Sequence, residues 1–423
     1  MTTSPSVEDA AHAPGNSGSW LATENLQQTR RGYGRPSVLA AADAAAAQRG
    51  MSPIPDGRGS GMVREFVEDD PSVAGRLAWL GARLTIRPAL AIGSHLANAP
   101  WPWGLVDFAA RTVTPALGSV RTTIRLSHST ARLVRAAGVL PADGSRPVVL
   151  YMHGGGFLTC GVHTHDRLVT TLSEYADAPV LMMNYRMLPK HSVGAAIDDC
   201  YDGYWWLRSR GYGPGQIVLA GDSVGGYLSL ALAQRLHSEG EELAAIVCMS
   251  PLLQIAKASK QVHPNVRSDA MFPAKAFDAF VDLIAKAGHR HIMDDGRPEE
   301  IYEPLDHIEP GLPRMLIHVS GSEVLLHDAR LAAQRLAAAG IPVQLRVWPG
   351  QMHVFQIAAP MVPEADRSLR QIGNYIREAT DPYHRVPVNT SPARVPGSRP
   401  DGVAYSASNR LPNPALHSRT GGS

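Results

Sequence analysis

Short apolar runs alternate with segments of helical spacing through the middle of the chain, between about residues 118 and 375. The apolar runs predict buried strands at 147–152, 216–220, 244–249, 314–320 and 343–348. Apolar residues at helical spacing predict helices at 227–236, 276–287 and 328–336. Alternation of strands and helices is typical of an α/β fold, so we expect a mostly parallel, doubly wound sheet.

The two ends of the chain differ in composition from its middle. Residues 1–70 are rich in Ala, Gly, Ser and Pro, and residues 381–423 are rich in Pro, Ser and Asn. Segments of this kind bury too little apolar surface to offset the loss of chain entropy, so we expect both to be disordered extensions. A single folded domain is then predicted over residues 71–380.

Two glycine motifs, His153–Phe157 and Gly221–Gly225, follow predicted strands. The second is a Gly-x-Ser-x-Gly sequence with Ser223 between the strand at 216–220 and the helix at 227–236. Strand, sharp turn and helix in this order form the nucleophile elbow of a serine hydrolase, and the first motif supplies the loop that faces it. The alternative is a tight turn with an incidental serine. The pair of motifs predicts a hydrolase that acts on an ester or a similar acyl bond.

A serine hydroxyl is a weak nucleophile near pH 7 and needs a base, which in turn needs an acid to orient it. After an elbow of this type the partners follow in the chain order acid, then His. His353 lies just after the strand at 343–348, and we predict it as the general base. Glu323 follows the strand at 314–320 directly and is the predicted acid. Asp328, near the start of the next helix, is the alternative, since its charge there would also suit the helix N-terminus.

Backbone N–H groups are expected to form the oxyanion hole. Val224 follows the nucleophile at a helix N-terminus, where N–H donors have no partner within the helix. Gly154, Gly155 and Gly156 supply donors from the facing loop, and glycine lets the backbone approach a substrate carbonyl closely. His153 is expected to hold this loop in place rather than to transfer protons.

These motifs resemble the hormone-sensitive lipase family of α/β-hydrolases, in its bacterial branch of esterases and lipases. The matching segments are His153–Phe157, Gly221–Gly226, Asn184–Pro189 and Trp348–His353. Leu158–Gly161 and Met187–His191 are most similar to actinobacterial members of the family. The resemblance implies an α/β-hydrolase fold with a helical cap, for which segments at about 75–115 and 252–312 are the expected elements. It also implies cofactor-free hydrolysis of short to medium acyl esters through an acyl-enzyme.

Four positions depart from the pattern of that family. Val224 stands where the family usually has Ala, and Glu323 where it usually has Asp. Val224 contributes its backbone N–H, so its side chain mainly narrows the site, whereas Glu323 is one methylene longer than Asp. Lys190 replaces the usual Glu and Gly194 the usual Pro, both at positions that we expect to be structural.

Composition argues against several other functions. The formal net charge is +2 with 18% charged residues, which gives no support for nucleic-acid binding. The three cysteines show no pairing pattern, so they predict buried free thiols in a reducing compartment. The N-terminus carries no signal-peptide pattern, and we expect a cytoplasmic location. The pairs His163/His165 and His289/His291 lack further ligands at zinc spacing, so neither a metal nor a cofactor is predicted.

No stretch reaches the roughly 18 uninterrupted apolar residues of a transmembrane helix. The nearest is 77–105, and five residues interrupt it: Arg83, Arg87, Pro88, His95 and Pro100. We expect this segment to form lid helices that are broken at the prolines. Ordinary core helices are one alternative, and peripheral contact of the cap with a membrane is another.

The predicted activity is that of a carboxylesterase or lipase with a small-molecule or lipid ester as its substrate. Amide hydrolysis or acyl transfer by the same serine and histidine is an alternative that the sequence leaves open. A non-catalytic binding module is a third possibility. Plant gibberellin receptors resemble the same family but lack the triad His, whereas this chain has both Ser223 and His353.

Overall fold

The computed structural model describes residues 63–95, 107, 108, 110, 118–293 and 296–381. The predicted extensions therefore lie outside the described residues, except for 63–70 and Asp381. The strands are β1 (Val63–Val67), β2 (Val120–Arg125), β3 (Thr130–Arg135), β4 (Val148–Met152), β5 (Val180–Asn184), β6 (Ile217–Asp222), β7 (Ala245–Met249), β8 (Met315–Ser320) and β9 (Val343–Trp348). The α-helices within these residues are α1 (Val73–His95), α2 (Asp166–Ala176), α3 (Val193–Ser209), α4 (Val224–Ser238), α5 (Ala258–Val262), α6 (Ala274–Arg290), α7 (Leu326–Ala338) and α8 (Pro363–Thr380).

The described strands form one sheet in the order β1-β9-β8-β7-β6-β4-β5-β3-β2. Neighbouring strands run parallel, apart from the antiparallel pairs of β3 with β2 and with β5. The predicted α/β fold with a mostly parallel sheet is thereby confirmed. The five predicted strands correspond to β4, β6, β7, β8 and β9, and the three predicted helices to α4, α6 and α7.

The central strands are buried on both faces of the sheet. Along β4, Val148 and Leu150 belong to one apolar core, and Val149 and Tyr151 belong to the other. Helices α3, α4 and α7 cover the first core, and α2 and α8 cover the second. A strand buried on both faces has no polar alternation, so its sequence is a continuous apolar run. The parallel order brings the carboxyl ends of β4, β6, β7, β8 and β9 to one edge.

Strand β1 corrects the prediction of a disordered extension over residues 1–70 for one part of it, residues 63–67. It pairs in parallel with β9, from Val63 opposite Val343 to Val67 opposite Val347. Its side chains are mostly exposed, so the strand has no apolar face that a sequence pattern could reveal. The hydrogen-bonding groups along the free edge of β9 order it instead.

Helix α1 corrects the expectation that Pro88 breaks the segment after Leu77, because the helix continues through that proline to His95. Proline removes one hydrogen bond to the carbonyl of Leu84, and both residues lie on the exposed side of the helix, which solvent can reach. The helix packs against α6 and α8. Whether it and residues 252–312 act as a cap stays a prediction.

Two further predictions concern cysteines and membrane helices. All three cysteines are free thiols, and Cys200 and Cys248 are buried as predicted. Cys160 is only half-buried, and burial nevertheless raises the pKa of its thiol to about 11. Among the described residues, no helix combines the length and the apolar character that crossing a membrane requires.

Candidate active site

Ser223 occupies the sharp turn between β6 and α4. Its backbone has φ 53° and ψ −121°, outside the regions that most residues adopt, and its N–H donates to Met249 O at 2.9 Å. The turn brings α4 so close to β4 that a Cβ on Gly225 would lie 1.9 Å from Met152 O. Only glycine fits there, which explains the second glycine of the motif, two residues after the serine. Ser223 itself is 7% exposed, at the carboxyl edge of the sheet.

His353 and Glu323 meet at the same edge of the sheet, on the loops that follow β9 and β8. Glu323 Oε2 lies 2.5 Å from His353 Nδ1, and Oε1 accepts the N–H of Ser320 at 2.7 Å. The loop of His353 is held by Val354, whose N–H donates to Ser250 Oγ at 3.0 Å. When Nδ1 carries the proton and donates it to the carboxylate, Nε2 of the neutral imidazole is unprotonated, as a general base requires.

The charges around His353 favour the imidazolium that forms when a general base takes a proton. Burial lowers the pKa of the imidazole, but the negative charge and hydrogen bond of Glu323 are the main contributions that oppose burial. Asp269 and Asp222 add smaller contributions of the same sign, so the pKa of His353 is raised above its ordinary value of 6.5.

The alternative acid, Asp328, binds a different set of partners. Its carboxylate accepts the N–H groups of Leu253 and Gln254 at 3.0 and 3.3 Å. It also pairs with the ammonium group of Lys260 at 3.1 Å, and both side chains are fully buried. The structure therefore brings Glu323, and not Asp328, to the imidazole of His353.

In the glycine loop after β4, the prediction that Gly154 is an oxyanion donor is corrected. The N–H of Gly154 donates to Asp222 Oδ1 at 3.0 Å, so it is already committed to the protein. Gly155 and Gly156 have φ values of 106° and 65°, which favour glycine, and their N–H groups have no partner among the described residues. The remaining predicted donors are then Gly155, Gly156 and Val224.

His153 packs beneath this loop as predicted. Its Nδ1 lies 2.7 Å from Gly154 O, and its ring stacks on Tyr185 with 4.4 Å between the ring centroids. Tyr185 in turn donates its hydroxyl to His153 O at 2.7 Å. Burial lowers the pKa of His153 to about 4, so the imidazole is neutral at pH 7 and has a structural place in the loop.

Asp222, which precedes the predicted nucleophile, is a site residue that the sequence motifs did not predict. Its buried carboxylate accepts hydrogen bonds from Tyr151 Oη at 2.6 Å and from the N–H of Gly154. It also lies 3.2 Å from His165 Nε2. Burial raises the pKa of Asp222, but His165, Tyr151 and His153 together outweigh burial, so the pKa is lowered and the carboxylate stays charged. This charge fixes the glycine loop to the strand that carries Ser223.

Comparison with known proteins adds to this geometry. A model of the α/β-hydrolase fold matches residues 149–357. Esterase LipU of Mycobacterium tuberculosis is 66% identical over 297 residues, which cover 70% of this chain and all of LipU. The chain belongs to the α/β-hydrolase family.

Two further proteins narrow its position among the α/β-hydrolases. Carboxylesterase/phospholipase LipF of M. tuberculosis is 60% identical over 327 residues, which cover 77% of this chain and 87% of LipF. The crystal structure of an esterase from the bacterial hormone-sensitive lipase family has a TM-score of 0.58 and 28% identity, and the match covers 69% of this chain and 98% of that one. The resemblance to the hormone-sensitive lipase family is confirmed.

Three of the four histidines in the pairs that sequence spacing singled out have protein partners in this α/β-hydrolase. His165 pairs with Asp222, and His163 Nε2 lies 3.2 Å from Arg132 Nη2. His291 Nδ1 lies 2.8 Å from Glu299, a carboxylate that also accepts the N–H of Gly194 at 2.8 Å. Gly194 stands where the family usually has proline, and proline would lack this donor.

Proposed function

We propose that the protein is a serine carboxylic-ester hydrolase that works through an acyl-enzyme. The observation that carries the proposal is the 2.5 Å contact between His353 and Glu323, on the sheet edge where the strained turn presents Ser223. A serine, a carboxylate and a histidine in this chain order are the parts that acyl transfer needs. The names of LipU and LipF, an esterase and a carboxylesterase/phospholipase, favour esters as substrates.

In the proposed reaction, Ser223 Oγ attacks the ester carbonyl while His353 Nε2 takes its proton. The N–H groups of Gly155, Gly156 and Val224 stabilise the oxyanion, each contributing about 3–4 kcal/mol if typical of such donors. His353 then protonates the leaving alcohol, and the acyl group remains on Ser223. Water, deprotonated by His353, attacks the acyl-enzyme and releases the acid. Glu323 stabilises the imidazolium in both steps.

The substrate class is tested with p-nitrophenyl esters from acetyl to palmitoyl. We expect the highest kcat/KM with short to medium acyl chains, as the resemblance to the family implies. A matched p-nitroanilide measures amide hydrolysis, and an added alcohol as acceptor measures acyl transfer. Faster turnover of the anilide than of the ester would contradict the proposal, and so would exclusive transfer of the acyl group without release of acid.

The raised pKa of His353 predicts the acid limb of the pH profile. The base works only when its imidazole is neutral, so kcat/KM should fall as the pH drops through the pKa of His353. Because Glu323 raises that pKa, the midpoint is expected above 6.5, the ordinary value for histidine. The measurement is kcat/KM for one ester between pH 5 and 9. An acid limb centred below the ordinary value would contradict the assignment of Glu323 as the partner of His353.

We also propose that α1 contacts the surface of anionic lipid aggregates. Apolar side chains recur at helical spacing along its outer face and are largely exposed: Val73, Leu77, Leu80, Leu84 and Ile92. The helix contains Arg76, Arg83 and Arg87 but no acidic residue. Arg83 and Arg87 bind backbone carbonyls on the protein side of the helix, so Arg76 is the exposed basic neighbour of the apolar face. An apolar face with a basic and no acidic neighbour on its helix is complementary to an anionic lipid surface, which would also supply lipid esters.

Cosedimentation with vesicles of phosphatidylcholine and phosphatidylglycerol tests this contact. Leu77→Glu and Leu84→Glu should each weaken binding roughly tenfold or more, because burial of one leucine is worth about 1.5–3 kcal/mol. Val262→Glu is the control, since Val262 is 73% exposed at the end of α5. Wild-type protein that stays in the supernatant would contradict the proposal, as would a dimer that the same two substitutions dissociate.

A further inference from the structure

The segment between α5 and α6 forms hydrogen bonds with the turn that carries Glu323. Asn265 donates its side-chain amide to Gly321 O at 2.8 Å and to Glu323 O at 3.0 Å. Asp269 Oδ2 accepts the N–H of Val324 at 2.9 Å. The main chain on both sides of Glu323 is therefore bound by two side chains of this segment.

Asp269 also shapes the segment to which it belongs. Its second oxygen, Oδ1, accepts the N–H groups of Met271 and Phe272 at 2.7 and 2.8 Å. The side chain is fully buried, and one carboxylate thus joins two loops by three backbone donors. The turn that it stabilises places the ring of Phe272 edge-on to the imidazole of His353, with 4.8 Å between the ring centroids.

Helix α1 fixes the same segment from its other side. Arg87 donates to the carbonyl oxygens of Val266, Asp269 and Phe272 at 2.9, 2.7 and 2.9 Å. Arg83 donates to Asp269 O at 2.9 Å. The backbone carbonyl groups around Asp269 are thus bound by the two arginines. The carboxylate of Asp269 binds the turn of Glu323.

We propose that Asp269, assisted by Asn265, is a positioning residue of the triad: it holds the turn of Glu323 and the ring of Phe272 so that the carboxylate and the imidazole of His353 stay aligned. This inference rests on the proposed function for its kinetic consequence, but the alignment itself is a property of the resting protein. Nothing in the reaction requires Asp269 to touch the substrate.

The charges around His353 and Glu323 set the pKa of His353, and this pKa is a readout that a purely structural role of Asp269 would not change. His353 faces the carboxylates of Glu323, Asp269 and Asp222. Asp269 faces Glu323 and Arg87. Burial raises the pKa of Asp269, while its three backbone donors favour the charged form. Removing this negative charge should lower the pKa of His353 and move the acid limb of the pH profile to lower pH.

Asp269→Asn is the main test. The side-chain amide of Asn has one acceptor oxygen, which can still bind the N–H groups of Met271 and Phe272. Its NH₂ group then faces the N–H of Val324 and cannot accept that hydrogen bond. Turning the amide over would instead place the NH₂ group against Met271 and Phe272. We expect kcat to fall roughly 10- to 100-fold with little change in KM, as is typical of a small misplacement of reacting groups. The acid limb should shift to lower pH in the same variant.

Glu303→Gln is the matched control. Glu303 is another buried carboxylate beside this segment that accepts two consecutive backbone N–H groups, from Ile255 and Ala256 at 2.7 and 2.8 Å. Burial raises the pKa of Glu303 to about 7, so a neutral amide imitates a form that it already adopts. Its kcat and acid limb should remain as in the wild type.

A measurement without turnover separates this inference from the proposed function. The proton between His353 Nδ1 and Glu323 Oε2 should give a low-field ¹H NMR resonance that Glu323→Gln abolishes. We expect Asp269→Asn to shift or broaden it and Glu303→Gln to leave it unchanged. If the wild-type protein hydrolyses no ester, the resonance still tests the alignment.

Folded Asp269→Asn protein with wild-type kcat, acid limb and resonance would overturn the inference. If that variant does not fold, Asn265→Ala carries the test, because Asn265 is less buried and binds the same turn. A fall in kcat and a moved resonance in Asn265→Ala would support the inference, and wild-type values of both would overturn it.

Discussion

Replacement of Ser223 by alanine is expected to lower kcat for a p-nitrophenyl ester by about 10⁵- to 10⁶-fold, the loss that is typical when the nucleophile of a serine triad is removed. No other hydroxyl occupies the turn between β6 and α4, where the backbone of Ser223 adopts φ 53° and ψ −121°. The measurement is the initial rate of ester hydrolysis at a pH above the acid limb, on protein with an unchanged circular dichroism spectrum.

Ser229→Ala is the matched control for that experiment. Ser229 is also buried, lies further along the same helix, and donates its hydroxyl to Gly225 O at 2.8 Å. Its loss removes a hydroxyl without removing the predicted nucleophile, so activity should remain within about threefold of the wild type. Equal losses in the two variants would show that the effect of Ser223→Ala is structural, and would contradict its role.

Glu323→Gln is expected to lower kcat by about 10³- to 10⁴-fold, as loss of the charged acid does in related triads. The amide cannot stabilise the imidazolium that forms on His353, and it cannot accept hydrogen bonds from both Ser320 and His353. The acid limb of kcat/KM should move to lower pH in the same variant, because the charge that raises the pKa of His353 is gone.

Asp328→Asn should have the opposite profile. It breaks the buried salt bridge with Lys260, and loss of one partner of such a pair typically costs about 3–5 kcal/mol of the free energy of unfolding. The alignment of His353 is untouched, so kcat of the folded fraction should remain near that of the wild type. Urea denaturation and kinetics on the same samples separate the two effects. A stable Asp328→Asn variant without activity, beside an active Glu323→Gln variant, would reverse the assignment of the acid.

Local sequence patterns were sufficient for the central strands and for the two motifs at their ends. A strand such as β6 is buried on both faces, so its residues form an apolar run that ends at the glycine of the elbow. His353 and Glu323 each follow a strand of this kind, and parallel strands bring their carboxyl ends together. The contact between the two side chains therefore follows from strand order and chain position.

Contacts between distant segments could not be predicted in this way. Strand β1 depends on the edge of β9, and its own residues are mostly exposed. Gly154 appears equivalent to Gly155 in the sequence, yet its N–H is bound by Asp222, 68 residues further on. Asp269 reaches Val324 across 55 residues, and no periodicity links the two positions. The helix through Pro88 is maintained by its packing and by the arginines that bind the neighbouring segment, which are long-range contacts as well.

The most direct test of the proposed nucleophile is labelling of the wild-type protein with a fluorophosphonate, followed by mass spectrometry of its peptides. The account predicts one phosphonyl group per chain, located on Ser223, with loss of ester hydrolysis in proportion to labelling. An adduct on another residue that removes activity, or full activity in protein that never reacts with the probe, would contradict it.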